Sequence, residues 1–169
     1  NAFFYCVGLT NVVFGNKLEI IGYKAFDTCK SLRHVTIPTC KIIGGYAFGN
    51  CEQLIELDLP NSLETVAYCA FFNCANLRRI AIPLKDDITI GWGAYESCPN
   101  LTTVNLVAGD HKLISSLHME CWRDEIYQEI NRINQFLPTI RGGTTDYIQQ
   151  WIMEETNRLN RTNISTSCC

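Results

Sequence analysis

The chain is short of charge and of long apolar runs. Only 18% of its 169 residues are charged, and the formal net charge is −3. That balance excludes an electrostatically driven nucleic-acid binder. No apolar run reaches 18 residues, so the sequence holds no membrane-spanning helix. Residues 1–16 carry no basic segment of the secretory-signal kind before Lys17. No Cys-x-x-Cys pair exists to suggest a zinc knuckle. Nor does a recognisable motif join a nucleophile to an orienting acid and an oxyanion hole. Apolar residues are plentiful, at 47%, so the chain has ample material for a core and is not wholly disordered.

The ten cysteines are the compositional excess. Five of them, Cys6, Cys29, Cys51, Cys74 and Cys98, recur at intervals of 23, 22, 23 and 24 residues. A period in the twenties is a solenoid signature. Each is preceded by Ala-aromatic: Ala2-Phe3, Ala25-Phe26, Ala47-Phe48, Ala70-Phe71 and Ala94-Tyr95. Each is followed, three residues on, by Leu9, Leu32, Leu54, Leu77 or Leu101, then by an alternating pair such as Val35 and Ile37.

The alternation predicts a short strand with one buried face. Pro38, Pro60 and Pro83 come next, and proline is expected to stop the ladder there. The Ala-Phe-x-x-Cys stretch spaces apolar residues as one helical turn does. Ile21-Gly22, Ile43-Gly44, Val66-Ala67 and Ile90-Gly91 mark a second inward residue and a bend. Because Ala67 is accepted in that column, its glycines are expected to permit close backbone approach rather than positive φ. One such coil cannot bury its apolar face alone, whereas stacked coils can. The fold class expected is an α/β solenoid with a parallel sheet on one face, its strands roughly 4.8 Å apart. Phe3, Phe26, Phe48, Phe71 and Tyr95 form one interior column of that core, and the five cysteines form another.

The repeat Ile21-Gly22…Ala25-Phe26…Cys29…Leu32…Val35…Ile37-Pro38 resembles the BspA-like leucine-rich repeat, and the likeness runs over about residues 2–107. The resemblance implies a binding or adhesion module, often at cell surfaces, with no family catalytic site, cofactor or metal. Within such a coil the cysteine column reads as buried reduced thiols acting as small hydrophobes. A disulfide ladder fits less well. Stacked equivalents have parallel Cβ vectors roughly 4.8 Å apart, where a bridge needs about 3.8 Å. Cys40, Cys69, Cys121, Cys168 and Cys169 lie outside the column, and their redox state stays open.

Domain boundaries follow: a solenoid of about five repeats over 1–107, a linker at 108–115, a helical hairpin or C-terminal cap over 116–160, and a disordered tail at 161–169. Met119, Trp122, Ile126, Ile130, Ile133 and Leu137 line one face of the first helix. Pro138 and Gly142-Gly143 end it, and Thr144 or Thr145 caps the second. Tyr147, Ile148, Trp151, Ile152 and Leu159 form the second helix's apolar face. Cys121-Trp122-Arg123 and Ile148-Gln149-Gln150-Trp151-Ile152 look like tails appended to such repeats in some unicellular algal proteins. The first coil lacks its strand half and a polar cap, so continuation into a longer array is expected upstream.

The functional candidate is the strand face. Arg33, His34, Thr36, Glu56, Asp58, Arg78, Arg79, Thr103 and Asn105 are expected to stand there and to bind a protein or peptide, with no nucleic acid and no transmembrane segment involved. Val13 and Ala81 fall on the same open face. A solvated face with alternating charges is the bland alternative. A structural or adhesive surface protein, with the helical hairpin making the contact, is the rival function. A metal-dependent enzyme using His111, His118 and Cys121 is the remote one, since no fourth ligand is evident. Sequons at Asn100, Asn160 and Asn163 permit secretion without showing it, which leaves cytoplasmic and extracellular locations both open.

Overall fold

The structure is a computed structural model that describes residues 1–85, 88–108, 135, 145–154 and 157. Among the described residues, nine short strands wind as a parallel solenoid. Five lie along one face: β1 (Asn11–Val13), β3 (His34–Thr36), β5 (Glu56–Asp58), β7 (Arg79–Leu84) and β9 (Thr103–Ala108). Four two-residue strands lie opposite: β2 (Ile20–Ile21), β4 (Ile42–Ile43), β6 (Thr65–Val66) and β8 (Thr89–Ile90). The described part of the C-terminal segment is a helix, α1, over residues 145–154.

The Phe column is a stack of rings. Phe3, Phe26, Phe48, Phe71 and Tyr95 follow one another at centroid separations of 5.0, 5.3, 5.5 and 5.4 Å, within 11° of parallel. Each stacked pair adds about 0.5–1.5 kcal/mol beyond area burial. Main-chain bonds run beside the rings. Phe3, Phe26, Phe48 and Phe71 each donate an N–H to the carbonyl of the alanine one coil on, at 2.7–2.8 Å.

The cysteines do more than fill space. The Sγ–H of Cys29, Cys51, Cys74 and Cys98 donates to the carbonyl of Phe3, Phe26, Phe48 and Phe71 respectively, at 3.1–3.3 Å. Each thiol thereby ties its coil to the one before. All seven described cysteines are free. Burial pushes the thiols of Cys29, Cys51 and Cys74 up, because a thiolate there would lose its hydration.

Two expectations need correction. The Ala-Phe-x-x-Cys stretch is a run of tight turns rather than a helix, with bonds such as Cys29 N–H to Phe26 O spanning three residues. Two left-handed positions per coil make it so. Lys24, Tyr46 and Cys69 have φ of 51–53°, and Tyr5, Thr28, Asn50, Asn73 and Ser97 have φ of 55–64°. Pro83 does not stop its strand either, since β7 pairs with β9 through Pro83↔Val107. Ala81 O accepts from Leu59 N–H, so Ala81 and, two residues on, Pro83 face β5. β5 has ended by then, and the missing N–H costs no bond. The glycine expectation holds at two of its three positions: a Cβ on Gly44 or Gly91 would come within 2.8 Å of the preceding coil's backbone, whereas one on Gly22 would meet nothing within 4 Å.

The C-terminal end of the solenoid is closed by α1. Tyr95 N–H has no further alanine to meet and donates instead to Thr145 Oγ1 at 2.9 Å. Ile90 N–H, on the outer edge of β8, donates to Gln149 Oε1. Ile148, Trp151 and Ile152 join the core cluster below. Two side-chain oxygens and an apolar helix face thus stand in for the next coil. The expected first helix of the hairpin, residues 116–137, lies outside the described residues except for residue 135, as do the 108–115 linker beyond Ala108 and the 161–169 tail.

Candidate functional site

The two ladders differ. β2, β4, β6 and β8 form one continuous four-stranded sheet. The opposite face is split into a β1–β3 pair and a β5–β7–β9 sheet. The break falls between the coils only 22 residues apart. Ile37 and Ile43 are separated by five residues, whereas Phe14–Ile21 and Leu59–Val66 are each separated by six. The shorter connection brings Cys40 into the column of Leu18 and Leu63 with one residue fewer to span the corner. Side chains patch the corner. Ser62 Oγ accepts from Cys40 N–H and donates to Cys40 O, both at 3.0 Å, and Thr39 Oγ1 donates to Leu18 O.

At the break the strand face opens into a recess of about 250 Å³. His34, Thr36, Glu56, Asp58 and Arg79 form its polar rim, and its floor is the chain at Val35 and Ile37, whose own side chains are buried in the core. Arg79 Nε and Nη2 donate to Glu56 Oε2 at 3.1 and 3.0 Å, and Nη1 reaches Asp58 Oδ1 at 2.7 Å. The bonds from Asp58, then Glu56, hold the Arg79 guanidinium in its charged form more firmly than usual. Two carboxylates share one guanidinium, so the rim keeps an excess of negative charge.

A shallower depression of about 720 Å³ adjoins it through His34 and is lined by Thr10, Asn11, Lys30, Ser31, Arg33, Glu52 and Gln53. Lys30 and Glu52 pair across it at 2.9 Å. The strand-face candidates therefore divide. His34, Thr36, Glu56, Asp58 and Arg79 meet at the recess, and Arg33 stands at its neighbour. Arg78 is exposed outside both, and Thr103 and Asn105 are half-buried further along on β9. Ala81, expected on the open face, is buried, its short side chain between Asp58 and Asn105 in the register.

His111, His118 and Cys121 lie outside the described residues. Among the described residues no group of three or more His, Cys, Asp or Glu side chains could hold a metal ion. Asn100 is exposed, and its Nδ2 donates to Ala75 O at 2.7 Å. Sequence reasoning noted the 22-residue interval but did not connect it with a split ladder, and that interval was the available signal.

Comparison with known proteins agrees with this geometry. The family described as "BspA type Leucine rich repeat region (6 copies)" matches residues 1–123. A leucine-rich repeat protein of Bacteroides ovatus superposes with a TM-score of 0.56 at 36% identity, covering 60% of this chain. The chain spans about a quarter, 26%, of that protein. A leucine-rich cell surface protein of Faecalibacterium prausnitzii matches at 20% identity and a TM-score of 0.49, over 60% of this chain and 33% of its own. The leucine-rich repeat protein of T. pallidum matches at 22% identity and 0.46, over 73% of each chain. No curated protein matches the chain.

Proposed function

The chain belongs to the BspA-type leucine-rich repeat family, and from that premise we propose that it recognises an extended protein segment on the strand face, anchored in the recess between β3 and β5. Leucine-rich repeats are protein-interaction and cell-surface modules rather than enzymes as a rule. The observation that supports this site is the break itself. It leaves the facing edges of β3 and β5 unpaired with each other inside a rim of His34, Glu56, Asp58 and Arg79. A cationic side chain of the partner suits it, its head group on the Glu56 and Asp58 carboxylates.

The test is selection from a displayed random-peptide library on the immobilised chain. Enriched peptides should carry a basic anchor, and their binding should be lost in His34→Ala/Glu56→Ala/Asp58→Ala while the melting temperature holds. Binding that survives the triple change would place the site elsewhere. The rival reading, an adhesive repeat whose helical segment makes the contact, draws less support, because Ile148, Trp151 and Ile152 of α1 are spent on the solenoid.

A further inference from the structure

A second surface lies on the flank where the β2–β4–β6–β8 sheet passes into the turns. Two residues after the inward Ile21, Val66 and Ile90 come Tyr23, Tyr68 and Trp92. Stacking puts them in one column, with Gly45 as its remaining member. All three rings are open to solvent, at 50%, 49% and 74% exposure. Tyr46 joins them from the adjacent position, edge-on to Tyr68 at 5.7 Å. The Lys24 ammonium sits 5.6 and 5.5 Å from the ring centres of Tyr23 and Tyr46.

The rings are seated rather than loose. A Cβ on Gly45 would stand 2.8 Å from the Tyr68 ring, and one on Gly49 would stand 3.1 Å from the Tyr46 ring. Each glycine gives up a side chain so that an aromatic can lie against the backbone. Glycine costs conformational entropy, and exposed aromatic surface costs solubility, so this arrangement gains the fold little. Prepositioned rings do favour binding, because less side-chain freedom is lost when a ligand arrives.

We propose that this aromatic row binds a glycan, with sugar rings stacked on Tyr68 and Trp92. A pyranose has an apolar C–H face and an edge of hydroxyls. The flank matches both. Tyr68 and Trp92 stand on adjacent coils, roughly 4.8 Å apart along the solenoid. Beside them runs a polar row in which Asn73 Nδ2 donates to Asn50 Oδ1 and Asn50 Nδ2 to Asp27 Oδ1, at 3.0 and 2.9 Å. A protein hot spot needs a dry apolar surround that excludes water. This column has Lys24 and the half-buried Asn50 and Asn73 amides on one side and the exposed Ile20 and Ile42 of the sheet on the other, a mixed margin that offers a sugar both hydroxyl partners and apolar surface. Tyr23 and Tyr68 are two coils apart, roughly 10 Å, so an extended oligosaccharide laid across the coils reaches rings at both ends.

The experiment is titration of the full chain with neutral hexasaccharides of β-1,4-glucose, β-1,4-xylose, β-1,4-N-acetylglucosamine and α-mannose. Binding is read by calorimetry and by the Trp92 indole resonance. At least one should bind and shift that resonance. Trp92→Ala and Tyr68→Ala should each weaken it about tenfold or more, and a melting transition that stays cooperative in both separates loss of binding from unfolding. Glu56→Ala/Asp58→Ala should leave it intact, which separates this site from the strand-face reading. Failure of all four sugars to bind, or equal binding by Trp92→Ala and Tyr68→Ala, would overturn the proposal, and so would capture of a protein by the row in place of sugar.

Discussion

The two sheets of this solenoid are built from the same coils, yet one is continuous and the other is split. The β2–β4–β6–β8 sheet absorbs intervals of 22, 23 and 24 residues without losing a pairing. The strand face tolerates 23 and 24 but breaks at 22. The difference lies in where the missing residue falls. Phe14–Ile21, Ile37–Ile43 and Leu59–Val66 each bridge the corner leaving the strand face, and only the middle one is short. Cys40 and Ser62 hold the far side of that corner in register, so the shortfall appears on the near side as the gap between β3 and β5. A one-residue length change thus becomes a recess on one face and nothing on the other.

The interior that both sheets share can be broken by alkali, and this is the largest effect expected. The folded pKa values of Cys29, Cys40, Cys51 and Cys74 are raised by burial. The unfolded chain therefore loses these protons first, near pH 8.5. Stability should hold below that pH and fall above it, by up to about 1.4 kcal/mol per pH unit for each thiol. Urea melts across pH 7 to 10 read this directly, and Cys51→Ala should flatten the slope.

Next in size is a paired truncation. Ile43 is fully buried in the continuous sheet, and Ile37 is buried beside the recess. Ile43→Ala should fall toward the upper end of the usual range of about 2–5 kcal/mol, and Ile37→Ala toward the lower, because β3 has no ladder partner on its β5 side and can shift to close the cavity. Equal losses in urea unfolding would mean that the break carries no energetic consequence.

Inserting an asparagine between Pro38 and Thr39 sharpens the comparison from the other direction. With the corner restored to the length of its neighbours, β3 and β5 should pair. The expected gain is about 1 kcal/mol, from bonds worth about 0.5–1.5 kcal/mol each. Hydrogen exchange at Ile55 should slow, and peptide capture at the recess should drop. The smallest effect belongs to Tyr95→Phe. The buried Tyr95 hydroxyl finds no hydrogen-bond partner among the described residues, so its removal should raise stability by no more than about 1 kcal/mol in thermal melts.

Much of the coil was legible because identical side chains recur at identical positions. The Ala, Phe, Cys and Leu columns could be assigned to the interior from spacing alone, and they are buried through the central coils. The thiol-to-carbonyl bonds were not legible, since a cysteine column looks the same whether its sulfur merely packs or also donates. The left-handed turns were hidden by Lys24, Tyr46 and Thr28, which are not residues that announce positive φ. Of the strand-face candidates, five meet at the recess, because alternation fixes which side chains point outward. Alternation does not fix which strands stay paired, so the division between the recess and the rest of the face could not be read in advance. Pro83 misled for a related reason: whether a missing N–H matters depends on the neighbouring strand's length, which no local pattern records.

The hydrogen bonds of the lid at the C-terminal end read nothing peculiar to the coil it covers. Thr145 and Gln149 engage the main-chain N–H groups of Tyr95 and Ile90, groups that every turn of the helix-like path presents in the same place. Such a terminator is indifferent to how many turns precede it. The length of the array is therefore a free variable, open to duplication or loss of whole turns upstream without redesign of the closing piece.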